Sequence, residues 1–92
     1  MIVNFKCKKT AELFNNGRSR HFKAFERQAL RKLFMLNHAE IIEDLLIPPS
    51  NHLEALQGTR KGQHSIRINR QWRVCFIFKD GHVHNVEIVD YH

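Results

Sequence analysis

The chain has 92 residues, 42% of them hydrophobic and seven of them Phe, which is enough for one small core and a single domain over residues 1–92. No apolar run approaches the ~18 residues of a membrane span, and no basic, apolar, small-residue leader is present, so a cytoplasmic location with no membrane association is expected. Fifteen Lys/Arg against nine Asp/Glu leave a net charge of +6, which favours a polyanionic partner, most often nucleic acid.

That charge is uneven. Met1 to Asn37 carries nine Lys/Arg against two acids, His38 to Leu56 carries four acids and no Lys/Arg, and Gln57 to His92 carries six bases against three acids. Cys7 and Cys75 form no spacing motif and are expected to be free thiols of a reducing compartment.

In chain order, Ile2 to Phe5 reads as a first strand. Lys8 to Asn16 reads as a short helix with Leu13 and Phe14 inward and Gly17 as its C-terminal stop. Phe22, Phe25, Ala29, Leu33 and Leu36 recur at helical spacing through Arg20 to Asn37. The opposite face carries Lys23, Arg27 and Arg31, so this is an amphipathic helix with a basic outer side. Asn37 with Glu40 three residues on predicts the N-cap of a shorter helix through Ile41 to Leu45. Pro48-Pro49 should end that helix and force an extended segment. Asn51 to Gly62 is then a loop carrying the basic pair Arg60-Lys61.

Three strand-like runs follow. His64 to Asn69 alternates, with Ile66 and Ile68 on one face and Ser65, Arg67 and Asn69 on the other. Trp72 to Phe78 places Trp72, Val74, Phe76 and Phe78 opposite Arg73, Cys75 and Ile77. Asp80-Gly81 is the two-residue signal of a type I′ turn, and His82 to Val89 is the return strand. The order predicts an α+β fold, a mainly antiparallel sheet with two or three helices from the N-terminal half packed on one face. The other face is expected to be open, with Arg67 and Arg73 standing on it from neighbouring strands.

Metal chemistry is not indicated, because His82 and His84 at i and i+2 lack further ligands at recognised spacing. Walker and dinucleotide glycine patterns and a nucleophilic serine or cysteine elbow are absent, and no cofactor is expected. Phosphodiester cleavage fits better. Metal-free cutting of RNA needs a base for the 2′-hydroxyl, cations at the phosphate and an acid for the leaving 5′-oxygen. Arg67 and Arg73 offer the cations. Glu54, Glu87, Asp90 and His92 offer titratable groups, and Tyr91 offers a ring for a base. Each has a plainer reading: the arginines as solvated strand residues, Glu87 as a cross-sheet partner, Tyr91 as a cover for the core rim. A non-catalytic RNA or ribosome binder and a module for an acidic protein partner both stay open.

The run SIRINRQWRVCF, the preceding LEALQGTRKGQ and the terminal VEIVDYH resemble the HigB toxins, the plasmid-maintenance killer proteins of the RelE superfamily. The likeness extends from IVNFKCKKTAELF through the PP-N-x-LEAL-x-G loop to the last residue, and is nearest to the GraT-like branch. It implies a RelE-like fold and a type II toxin that cleaves mRNA in the ribosomal A site. It also implies a cognate HigA-type helix-turn-helix antitoxin that holds the toxin inactive. Arg73, Asp90, Tyr91 and His92 stand where HigB members carry functional residues. Glu54 stands where the plasmid-borne pattern has His, and Gln71 where it has Asn. With Glu54, the catalytic set this implies is Arg73, Asp90, Tyr91 and His92. The RNA contacts expected are Arg67, Gln71, Arg60 and Lys61 around the sheet, and Lys23, Arg27 and Arg31 on the helix.

Overall fold

The computed structural model describes residues 1–91. Helix α1 spans Lys8–Asn16 and stops at Gly17, whose left-handed φ of 72° lets its N–H return to the Leu13 carbonyl at 2.8 Å. Helix α2 spans Glu26–His38, later than the Arg20 start predicted from periodicity. The Ser19 hydroxyl accepts from the Phe22 N–H at 3.2 Å and the Glu26 carboxylate accepts from the Ser19 N–H at 3.1 Å. These local bonds hold residues 19–22 out of the helix, and a 3₁₀ turn, Lys23–Phe25, leads in. The apolar stripe is nevertheless where periodicity placed it. Phe22, Phe25, Ala29, Leu33 and Leu36 are all buried.

The predicted second helix is a 3₁₀ segment, Ile42–Leu46. Its cap is Asp44, which accepts from the Glu40 and Ile41 N–H groups at 2.9 and 3.2 Å, and not Asn37, whose side chain accepts from the Ile2 N–H at 2.9 Å. A further 3₁₀ turn, Pro49–Asn51, replaces the extended segment expected after the prolines. Ile2 to Phe5 forms no strand. It touches the sheet through two isolated parallel bridges, Ile2 to Val83 and Phe5 to Val86.

The sheet has four antiparallel strands in the order of the chain, β1 (Glu54–Ala55), β2 (His64–Arg67), β3 (Trp72–Lys79) and β4 (His82–Asp90). Strands β2 and β3 follow the alternation. In β4 a register shift beside Asn85, whose φ is 54°, breaks the period of two, so that Val83 and Val86 are both buried. Asp80 and Gly81 take φ 53° and 77° as a type I′ turn requires. Strand β1 was not predicted, since two residues carry no period. Helices α1 and α2 cover one face, where Ile66, Val74, Phe76, Val83, Val86 and Ile88 meet Leu13, Ala29, Leu33 and Leu36. Trp72 closes the end of this core against Phe22 and Phe25, with ring centroids 5.8 and 5.0 Å away. Among the described residues no helix is long and apolar enough to cross a membrane.

Candidate active site

The register assembles the opposite face in rows. Glu54, Ser65, Cys75 and Glu87 align across the four strands, and Arg67, Arg73 and Val89 form the next row. This face is less open than alternation predicted. Ser65 and Cys75 are fully buried and Arg73 is only 7% exposed. Burial of a guanidinium is tolerable only where its N–H groups find acceptors, and here the loop before β1 supplies one of them. Asn51 anchors that loop. It is fully buried, its Nδ2 donates to the Leu45 carbonyl at 3.1 Å, and its Oδ1 accepts from Lys32 Nζ at 2.6 Å. Burial, and then the neighbouring charge of Arg31, pull the Lys32 amine below its ordinary pKa. The next residue, His52, takes a left-handed φ of 45°, and its carbonyl accepts from Arg73 Nη2.

Two more acceptors come from one residue of β2. Arg73 Nε donates to Ser65 Oγ at 2.8 Å, and Nη2 also donates to the Ser65 carbonyl at 3.3 Å. Arg73 Nη1 lies 3.9 Å from Glu54 Oε1, whose side chain is half exposed. The Tyr91 ring lies over the guanidinium, 5.6 Å from centroid to Cζ. Of the five N–H donors, Nε and Nη2 are thus engaged by backbone and hydroxyl oxygens. Among the described residues, Nη1 faces one loosely held carboxylate. Such an edge suits a second anion, and a phosphate oxygen is the natural one.

The other sequence-predicted residues divide by position. Tyr91 and Glu54 join Arg73. Asp90 pairs across from Trp72, so strand alternation turns it to the helix side, where Gln71 Nε2 donates to its Oδ2 at 2.9 Å. The Tyr91 N–H donates to the Gln71 carbonyl at 2.7 Å, so Gln71 grips the chain end twice. His92 lies outside the described residues. Arg67 is the direct cross-strand partner of Arg73, yet the two diverge, Arg67 Nε turning to the Asn69 carbonyl at 3.1 Å.

Arg60 is committed elsewhere. Its Nη1 donates to Glu87 Oε1 at 2.7 Å and to Gln63 Oε1 at 3.1 Å, and the bond to Glu87 raises its already high pKa. The cross-sheet partner of Glu87 is therefore Arg60, with Lys6 at 3.9 Å, and neither Arg67 nor Arg73. Lys61 is exposed. Lys23, Arg27 and Arg31 are exposed on the outer side of the helix layer, with the core between them and Arg73. Lys23 also lines a cleft of about 620 Å³ with Arg18, Arg20, Glu12 and Glu26. Cys7 and Cys75 are both free thiols, and burial pushes the Cys75 thiol up. Sequence reasoning missed the two residues that hold Arg73. On the polar side of a strand Ser65 looks solvated, and the role of His52 belongs to its carbonyl, which no residue type announces.

The meander on two helices defines the class of fold, that of the small RelE-like toxins. It superposes on a histidine-to-glutamine mutant of YafQ from E. coli with a TM-score of 0.65 at 14% identity, covering 98% of this chain and 91% of that one. It also superposes on a chain of the heterotetrameric YoeB–YefM toxin–antitoxin complex from Staphylococcus aureus, with a TM-score of 0.63 at 20% identity, covering 100% and 95%. Sequence narrows the class. Residues 3–92 match the family described as the RelE-like toxin of type II toxin-antitoxin system HigB. Over 83 residues the chain is 36% identical to Toxin HigB-1 of Vibrio cholerae serotype O1, spanning 88% of this chain and 87% of that one. The chain belongs to the HigB-like toxin family.

Proposed function

We propose that this type II toxin inhibits translation as a single cytoplasmic domain that cleaves mRNA in the A site of the ribosome, without a metal or other cofactor. One observation carries the reading. Arg73 is buried and held through Nε and Nη2, while its Nη1 edge meets only the half-exposed Glu54 carboxylate among the described residues, beneath the Tyr91 ring. A scissile phosphate entering at Nη1 would displace that carboxylate and gain a preorganised cation where charge develops. Glu54, released beside the phosphate, would take the 2′-hydroxyl proton. The 2′-oxygen would then attack phosphorus, and the P–O5′ bond would break to leave a 2′,3′-cyclic phosphate and a 5′-hydroxyl. Glu54 suits the base better than Asp90, which the strand turns toward Gln71. His92 would serve as the acid for O5′, with Tyr91 stacking on a base. Arg67, one strand over, would steady a neighbouring phosphate.

Gln71 would set the position of the chain end, and Arg60 and Lys61 would line the approach of the RNA. Lys23, Arg27 and Arg31 would meet ribosomal RNA by charge. The inhibitor would be a HigA-type helix-turn-helix antitoxin, and the toxin would belong to the GraT-like branch. A second reading, a growth inhibitor that binds the ribosome without cutting, is favoured by the turning of Asp90 away from Arg73. Purified protein incubated with mRNA, with and without translating ribosomes, separates the two. Cuts confined to translated mRNA are expected. Ribosome association with intact mRNA would establish the second reading instead.

A further inference from the structure

We infer that Ser65 is a positioning residue that fixes the plane of the Arg73 guanidinium, so that only its Nη1 edge can turn to a ligand. The inference rests on the reading of Arg73 as the phosphate contact. Ser65 offers two acceptors to one side of the guanidinium, Oγ to Nε at 2.8 Å and its carbonyl to Nη2 at 3.3 Å, while the His52 carbonyl takes Nη2 from another direction. Three acceptors at fixed backbone or strand positions define a plane, which one acceptor cannot. Arg67 shows the contrast within the same row, since among the described residues its guanidinium has the single bond to the Asn69 carbonyl.

The location explains why a small hydroxyl residue stands at position 65. Ser65 pairs with Cys75 on one side and Glu54 on the other, and it has no exposed surface. A long side chain would fill the space the guanidinium occupies, and alanine would leave Nε without its partner in a buried site. The same short β1–β2 pairing that aligns Glu54 with Ser65 brings the displaceable carboxylate to Nη1. Ser65 therefore acts through Arg73 and does not itself reach the RNA.

The test combines a rate with a probe of Arg73 itself. Ser65→Ala should fold, and its single-turnover cleavage of mRNA on translating ribosomes should fall roughly 10- to 100-fold at saturation, as the loss of a charge-assisted positioning bond implies. The half-saturating ribosome concentration should stay unchanged. In the free protein, the Arg73 Nε–H should exchange slowly with solvent in the wild type and quickly in Ser65→Ala. Ser65→Thr keeps the hydroxyl and should recover both signals. A wild-type rate in Ser65→Ala would overturn the inference. So would a slowed Ser65→Ala whose Nε–H stays protected, or a loss seen only in half-saturation. If Arg73→Ala also cuts at the wild-type rate, the proposed function itself fails. An inactive Arg73→Ala beside a fully active Ser65→Ala defeats the role of Ser65 alone.

Discussion

Both faces of the sheet hold buried residues, many on the helix side and a cluster of three on the other, and the two sets are buried under different rules. On the helix side Ile66, Val74, Phe76, Val83 and Val86 have essentially no exposed surface. Exclusion of water is the whole requirement there, and another apolar group of similar volume would serve. On the other side Ser65, Arg73 and Cys75 are nearly as buried, but one of them is charged, so each N–H needs an acceptor in a particular place. Burial by itself does not distinguish scaffold from site. What distinguishes them is whether the buried group could be exchanged for hydrocarbon. Arg67 and Arg73 sharpen the contrast, for they face each other across β2 and β3, and only Arg73 is enclosed.

The largest expected effect lies on the helix side. Phe76→Ala should lose about 3–5 kcal/mol of stability, as truncations of buried aromatics do, while the rate of cleavage well below the melting point stays near wild type. A large fall in rate with the fold intact would mean that the two faces are not separable. On the other face, Arg73→Ala should lose about 2.7–4 kcal/mol of transition-state stabilisation, by analogy with removal of one oxyanion donor. Unlike a solvated strand arginine, it should also lower the denaturation midpoint. The buried Ser65 Oγ would be left short of a partner, at about 1–3 kcal/mol. Lysine at this position should rescue only in part, since it keeps the charge without the planar fork.

The basic helix face gives a smaller, electrostatic effect. Replacing Lys23, Arg27 and Arg31 with Ala should reduce the slope of log affinity for ribosomes against log salt by about 0.7–0.9 for each phosphate no longer neutralised. An unchanged slope would remove this surface from ribosome binding. Smallest is the contribution of Cys75. Its thiol is pushed up by burial, so the folded chain keeps that proton to higher pH than the unfolded chain does. The associated stability is fully present below the ordinary thiol pKa and is lost as pH rises through the raised value of the folded chain. Cys75→Ala should flatten that alkaline fall in midpoint, and an identical fall would assign it to another group.

Much of the scaffold was legible because its periods are long and regular. Eight residues of β3 and the stripe from Phe22 to Leu36 each repeat often enough to settle their face, whereas the shift in β4 left no signal. Elements that depend on a single hydrogen bond were not legible. Asn37 looks like a cap by residue type, but it lies inside α2 and accepts from the Ile2 N–H, and the cap falls to Asp44. Strand β1 is two residues long and exists because β2 lies beside it. Within the site, resemblance singled out Arg73 and Tyr91, and the fold brings them together. Alternation put Arg73 on an open face, because a period of two separates faces without saying what covers them. The cover here is a loop tied down by Asn51 and turned by a left-handed His52, and both are properties of the folded backbone.

The ends of the cut mRNA report most directly on the chemistry assigned to the face that holds Arg73. Message recovered from translating ribosomes treated with the wild-type protein should carry a 2′,3′-cyclic phosphate upstream of the cut and a 5′-hydroxyl downstream. Those ends should be lost in parallel with rate in Arg73→Ala. Cuts ending in a 3′-hydroxyl and a 5′-phosphate would contradict the assignment, because they require attack by water and not by the neighbouring 2′-oxygen.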